Sequence, residues 1–216
     1  MMAIFELLAN CYGSRHWWPA DTQFEVCAGA ILTQNTAWGN VEKALLQLQT
    51  AGLLSAEGLR DVGQERLELL IRPAGFFRVK SRRLKAFVEW FHARFDGDFQ
   101  RMFAGDWHQL RDDLLAVHGI GPETCDAILL YAGGKPSFVV DSYTRRLFHR
   151  LGYLRESAGY DETQRMFMEN LPPDAVLFNE YHALIVEQCK LFCRKKPRCS
   201  ACPLAGQCFF HKNLIN

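Results

Sequence analysis

Two glycines around one isoleucine, Gly119-Ile120-Gly121, constrain this chain of 216 residues more than any other stretch. Upstream, Trp107, Leu110, Leu114, Leu115 and Val117 recur at helical spacing, so 106–117 reads as an amphipathic helix. The glycines demand a turn too tight for side chains, and Pro122 then stands where a new helix begins and a missing N–H costs nothing. Cys125, Ile128, Leu129 and Ala132 form a second apolar stripe, which Gly133-Gly134 ends. The pattern is helix, hairpin, helix. Bare N–H groups at such a turn, with the positive end of a helix dipole, can hold an anion such as phosphate, although a purely steric turn has the same pattern. The next segment adds chemistry. The extended apolar run Phe138-Val139-Val140 delivers Asp141 to the start of a helix over 142–151, closed by Gly152.

The rest of the chain is read almost wholly as helix. A short first helix carries Phe5, Leu7 and Leu8, and 14–21 (SRHWWPAD) is an irregular loop. Residues 24–32 are apolar and small, as in a buried helix, and the polar break Thr33-Gln34-Asn35-Thr36 precedes a helix over 40–49. Two short helices over 55–60 and 65–71 lead to a long amphipathic one whose Leu84, Phe87, Val88 and Phe91 face inward. Beyond Gly152, 161–170 and 179–190 are helices. The fold class is therefore all-α.

Hydrophobic residues make up 49% of the sequence, enough for a real core in one domain or two small ones. A net charge of +1 is too weak to announce a nucleic-acid binder, so any DNA contact must come from local clusters. Two exist: Arg78, Lys80, Arg82, Arg83 and Lys85, then Lys190, Arg194, Lys195, Lys196 and Arg198. A solvated helix face is the plain alternative for the first. With no basic leader and no apolar run of about 20 residues, the chain reads as intracellular, with no membrane partner. Four of eight cysteines, Cys193, Cys199, Cys202 and Cys208, crowd into a C-x5-C-x2-C-x5-C loop able to wrap one metal centre. Cys11, Cys27 and Cys125 lie in apolar settings, as buried thiols do.

The series VHGIGPETCDAILL, FVVDSYTRRLFHRLG and the four late cysteines resembles the endonuclease III-like helix-hairpin-helix DNA glycosylases, from about Phe24 to Cys208. The resemblance implies two lobes: 21–133 with the hairpin, and 1–20 plus 134–216 with the cysteine loop. It implies a cytoplasmic, nucleoid-associated monomer acting on double-stranded DNA that contains damaged bases. Gly119 and Gly121 would grip phosphate with help from Lys80, Lys195 and Lys196, and Asp141 would be the catalytic carboxylate. Gln34 would fill the space of an extruded base. The four cysteines would hold a [4Fe-4S] cluster, though the family usually has six residues between the first two ligands and here there are five; Cys189 is a distant substitute, and zinc the alternative metal. Members that cut the strand carry a lysine where this chain has Glu123, which implies a monofunctional enzyme in which Glu123 orients water or touches the base.

The stretches WWP, ILTQNT and GIGPETCDAIL are similar to the 3-methyladenine DNA glycosylase branch, which implies an aromatic base pocket of Trp17, Trp18 and Trp38. Electron-rich faces suit a cationic alkylated purine. That branch does not depend on an iron–sulfur cluster, so the cysteine loop departs from it. A glycosylase for oxidised pyrimidines or mismatched bases, with or without lyase activity, is the competing reading, and a non-catalytic DNA-structure binder is the reading from another class.

Overall fold

The computed structural model describes the whole chain except His16, Pro19 and Asn216, with only the backbone of Leu214 and Ile215; part of the 14–21 loop expected from the sequence thus lies outside the described residues. Among the described residues there is no strand, and no helix is long and apolar enough to cross a membrane. The chain divides into two compact units, Trp18–Lys135 and Met1–Trp17 with Pro136–Asn216.

The Trp18–Lys135 unit is built from α2 (Gln23–Leu32), α3 (Trp38–Thr50), α4 (Ala56–Asp61), α5 (Gln64–Leu70), α6 (Phe77–Phe95), α7 (Phe99–Ala104), α8 (Trp107–Leu115) and α9 (Pro122–Ala127); α1 (Met2–Tyr12) belongs to the other unit. At the centre is α2, where only Gln23 and Glu25 escape burial. It begins cleanly because the Thr22 hydroxyl accepts from the Glu25 N–H at 3.1 Å. Gly29 is needed there, since a Cβ would come within 3.3 Å of the Trp18 ring. Along α6 the buried stripe is Leu84, Phe87, Val88 and Phe91, each contributing about 1.5–3 kcal/mol of apolar burial.

The same stripe extends back to Lys80, and here an expectation fails. Lys80 is 1% exposed, and its ammonium donates to the Leu32 carbonyl (2.8 Å) and the Ala74 carbonyl (2.7 Å). It ties α6 to the end of α2 and cannot reach a DNA backbone. Its burial, and Arg83 beside it, push its pKa down to about 8.

The hairpin itself is held by charge as well as by turn geometry. Arg111 on α8 makes a two-pronged pair with Asp126 on α9, at 2.8 and 3.0 Å, and Asp126 is fully buried. Removing one partner of such a pair costs about 3–5 kcal/mol. Immediately after α9 the backbone widens into a π-helical turn, Ile128–Ala132, where the Gly133 N–H reaches five residues back to the Ile128 carbonyl. The apolar periodicity alone predicts an unbroken helix here.

The other unit gathers α1, α10 (Ser142–Leu151), α11 (Tyr160–Asn170), α12 (Ala175–Leu191) and α13 (Phe209–Ile215). Its core is aromatic. Phe138 stacks on Phe167 at 3.8 Å, and Phe148, Phe178 and Tyr181 close around them. Burial of Phe138, Val139 and Val140 pins the extended segment before Asp141. Helix α12 starts four residues earlier than the periodicity predicts, because Asp174 caps it through the Val176 and Leu177 N–H groups. Cys27 and Cys125 are buried thiols as expected, but Cys11 is exposed, on the last turn of α1.

Candidate active site

Asp141 is the N-cap of α10. Its Oδ1 accepts from the Thr144 N–H at 2.7 Å and the Thr144 hydroxyl at 2.9 Å. Its Oδ2 faces His182 Nε2 across 3.7 Å. Burial pushes this carboxyl's pKa up, but His182 and the two Thr144 donors together pull it further down, so it sits below the ordinary aspartate value and stays ionised. One oxygen is thus tied to the helix start and the other points at a histidine. His182 lies in α12, 6% exposed, and Trp17 meets it edge to face at 6.4 Å. Sequence reasoning misses His182, because one histidine in a buried helix carries no local signal.

Two of the three tryptophans meet within one unit. Trp18 stacks on Tyr131 at 4.9 Å and meets the edge of Trp38 at 4.9 Å, all within the Trp18–Lys135 unit. Trp17 belongs to the other unit, beside His182, with the Lys190 ammonium 5.6 Å from its ring. Tyr131 joins the aromatic group unannounced by the sequence, brought there by the π-helical turn.

Gln34 is bound to the hairpin. Its Nε2 donates to the Gly119 carbonyl at 3.0 Å and to the Thr124 hydroxyl at 2.9 Å, while its Oε1 accepts from Arg83 Nη1. The next residue, Asn35, is the exposed one, with a left-handed φ of 54°. Gly119 has φ 85°, and a Cβ there would strike Arg83 Cγ at 2.3 Å, so only glycine fits. Gly121 has no such constraint, since a Cβ on it would meet nothing. Glu123 is exposed in the first turn of α9, and Lys195 and Lys196 are exposed beyond α12.

Cys193, Cys199, Cys202 and Cys208 all line one small cavity of about 20 Å3. Cys189 does not line it; its thiol lies 3.5 Å from the Tyr143 carbonyl. A hydrogen bond from Cys189, helped by Arg150 and Arg146, lowers the Cys193 pKa to about 6, whereas burial raises those of Cys199 and Cys202. Among the described residues no three His, Cys, Asp or Glu side chains are assembled tightly enough to hold a metal ion. The donor set nevertheless suits a thiolate-ligated cluster: four cysteines line one cavity, and one is already biased to thiolate.

Residues 28–173 match the model of the HhH-GPD superfamily base excision DNA repair proteins. A Methanocaldococcus jannaschii protein provisionally named a DNA repair glycosylase is 47% identical over 95% of this chain and 94% of its own length. Endonuclease III of Sulfolobus acidocaldarius is 28% identical over 89% of this chain and 84% of its own. Among solved structures, an H. pylori 3-methyladenine DNA glycosylase bound to 1,N6-ethenoadenine has a TM-score of 0.74 at 28% identity, over 86% of this chain and 94% of that one. A trapped endonuclease III–DNA covalent intermediate shares the fold, with a TM-score of 0.85 at 22% identity over 100% and 97% of the two chains.

Proposed function

This chain belongs to the HhH-GPD superfamily of base excision repair DNA glycosylases, and on that premise we propose that it hydrolyses the N-glycosidic bond of a flipped alkylated purine, such as 3-methyladenine, without cutting the strand. The observation that carries the chemistry is the arrangement of Asp141. Breaking an N-glycosidic bond leaves an oxocarbenium-like sugar, which requires a fixed negative charge and a directed water. Asp141 remains ionised, Thr144 holds one of its oxygens, and Oδ2 is the atom left to face the sugar cation or a water.

Glu123 supports the monofunctional reading. A Schiff base needs an amine, and the first turn of α9 carries a carboxylate instead. The aromatic group of Trp18, Tyr131 and Trp38 supports a cationic purine, because electron-rich faces attract a delocalised positive ring by about 0.5–2 kcal/mol. The name of the H. pylori neighbour points the same way. In this reading the enzyme acts as an intracellular monomer on duplex DNA, with Gly119, Gly121, Lys195 and Lys196 on the backbone and Trp17 beside the reacting nucleotide.

Cys193, Cys199, Cys202 and Cys208 would hold a [4Fe-4S] cluster. When bound, it supplies cross-linking of a loop that has little apolar core of its own. The Endonuclease III relatives favour a second reading, in which the base is an oxidised pyrimidine or a mismatched one.

Excision assays on methylated, oxidised and mismatched duplexes, with borohydride added, test the base preference and the mechanism together. We expect released 3-methyladenine, an intact abasic strand and no trapped adduct. Release of oxidised pyrimidines alone replaces the base preference, a trapped adduct overturns the monofunctional mechanism, and tight binding with no release from any duplex leaves a DNA-structure binder.

A further inference from the structure

The outer face of α10 repeats positive charge one turn apart. Arg145 and His149 form one i, i+4 row, and Arg146 and Arg150 form the row beside it. These side chains, with Arg155 and Glu156, border a recess of about 400 Å3 that adjoins the cysteine cavity across Arg150 and Phe210, which line both. Four arginines against one glutamate give a local excess of three positive charges, in a chain whose total is +1. Among the described residues no carboxylate pairs with Arg145, Arg146 or Arg150; Arg155 alone has a partner, Glu162 at 2.8 Å. Arg146 and Arg150 already face the Cys193 sulfur, so the like charge left without an anion in the adjacent turn is that of Arg145, and an anionic ligand beside it removes the repulsion.

The individual groups are arranged to receive such a ligand. Arg146 donates from Nε to the Cys193 carbonyl at 2.8 Å and lies over the Tyr143 ring at 4.9 Å, which leaves its two terminal nitrogens without a hydrogen bond among the described residues. Arg150 is fixed by the Arg194 carbonyl at 2.6 Å, the Lys195 carbonyl at 3.1 Å and the Cys193 sulfur at 3.3 Å, with its guanidinium 5.0 Å from the Phe210 ring, so it lines the recess as a held charge. Arg145 is exposed, and its side chain has no hydrogen bond or ion pair among the described residues. His149 Nδ1 lies 3.0 Å from the Leu154 carbonyl, an acceptor that keeps the proton on that nitrogen and turns Nε2 outward. Two anchored guanidinium groups and one free fork are the donor set that phosphate oxygens select.

We propose that this recess binds a phosphate group, at a site separate from both the Gly119–Gly121 hairpin and Asp141. The group is either a phosphodiester of a DNA strand, which rests on the glycosylase reading above, or the phosphate of a free compound, which does not.

The test uses the full chain with whatever metal it carries on purification, together with Arg145→Glu and Arg145→Lys. Inorganic phosphate is titrated calorimetrically at constant ionic strength, and an undamaged duplex is titrated by fluorescence anisotropy across a salt series. Arg145→Glu should weaken phosphate binding about tenfold or more, and Arg145→Lys should retain it within about threefold. A fall of about one in the salt slope of duplex binding assigns the phosphate to the DNA strand. Unchanged duplex binding with weakened phosphate binding assigns it to a free compound. If Arg145→Glu alters neither titration, the site does not exist. Absence of base release by the wild-type protein would remove the glycosylase reading and leave these titrations to be judged alone.

Discussion

His182 Nε2 stands 3.7 Å from Asp141 Oδ2, on the side of the carboxylate that Thr144 leaves open. The two residues are far apart in sequence and come from α12 and the start of α10. A histidine at that distance stabilises the charged carboxylate when protonated.

Asp141→Asn should therefore reduce base release by about a hundredfold to a thousandfold, the range for removing one group that stabilises transition-state charge. Its amide oxygen can still accept from the Thr144 N–H, so the variant should fold and keep its duplex affinity, with a lower melting temperature because the stabilised charge is gone. Near-full activity in a folded variant would move the catalytic role elsewhere, with Glu123 the first residue to examine.

The lowered pKa of Asp141 fixes the sign of a pH effect. A carboxyl whose folded value lies below its unfolded value contributes stability that is present above about 3.9 and is lost as pH falls through the folded value. The acid limb of the base-release profile should accordingly lie below about 3.9. An acid limb near 6 would mean that another group controls the rate.

Gln34→Ala should lower stability by about 1–3 kcal/mol before any DNA is added, since it removes two donated bonds to the hairpin and the acceptor for Arg83. Chemical denaturation measures this. Unchanged stability with weakened duplex binding would return Gln34 to the role of a residue that only contacts DNA.

Purified without oxygen, the protein should be brown, and Cys193→Ser should lose iron and sulfide while Cys189→Ser retains them, because only Cys193 lines the cavity shared with the other three thiols. The reverse pattern would make Cys189 the fourth ligand. Colourless protein with stoichiometric zinc would replace the cluster altogether.

Lys80 moves stability in the same direction at the alkaline end of the scale. Its folded pKa of about 8 lies below the unfolded value near 10.4, so the native state sheds its proton first and the Lys80 contribution to stability should rise between those values, by about 2–3 kcal/mol. The buried thiols Cys27 and Cys125, whose pKa values burial raises, act the other way over the same range, so the test is the difference between wild type and Lys80→Met in urea unfolding at pH 7 and pH 10. The wild type should gain about 2–3 kcal/mol relative to the variant on going from pH 7 to pH 10, and an unchanged difference would mean that Lys80 does not titrate there.

Local chemistry is legible in the sequence wherever one residue dictates its own backbone. Gly119, Pro122, Asp141 and Gly152 mark the hairpin and the start and end of α10 because each has a conformational preference that neighbours cannot override. Lys80 reads as part of a basic patch when charge alone is considered, although its phase shows otherwise: Leu84, Phe87 and Phe91 follow it at four, seven and eleven residues, on the same buried stripe. Pairings such as Gln34 with Gly119 or Asp141 with His182 have no such marker. They exist only once helices pack, and no spacing rule connects residues brought together that way.

The widened turn at Ile128–Ala132 makes one further kind of change informative. A π-turn amounts to one residue inserted into an α-helix, so deleting a residue there would let the chain regain ordinary i to i−4 bonding. The same deletion would swing the following side chains by about 100° and carry Tyr131 off the face of Trp18. Helix quality and aromatic packing would then move in opposite directions, and a shortened chain that melts higher yet loses the Trp18–Tyr131 stack is the phenotype this stretch encodes.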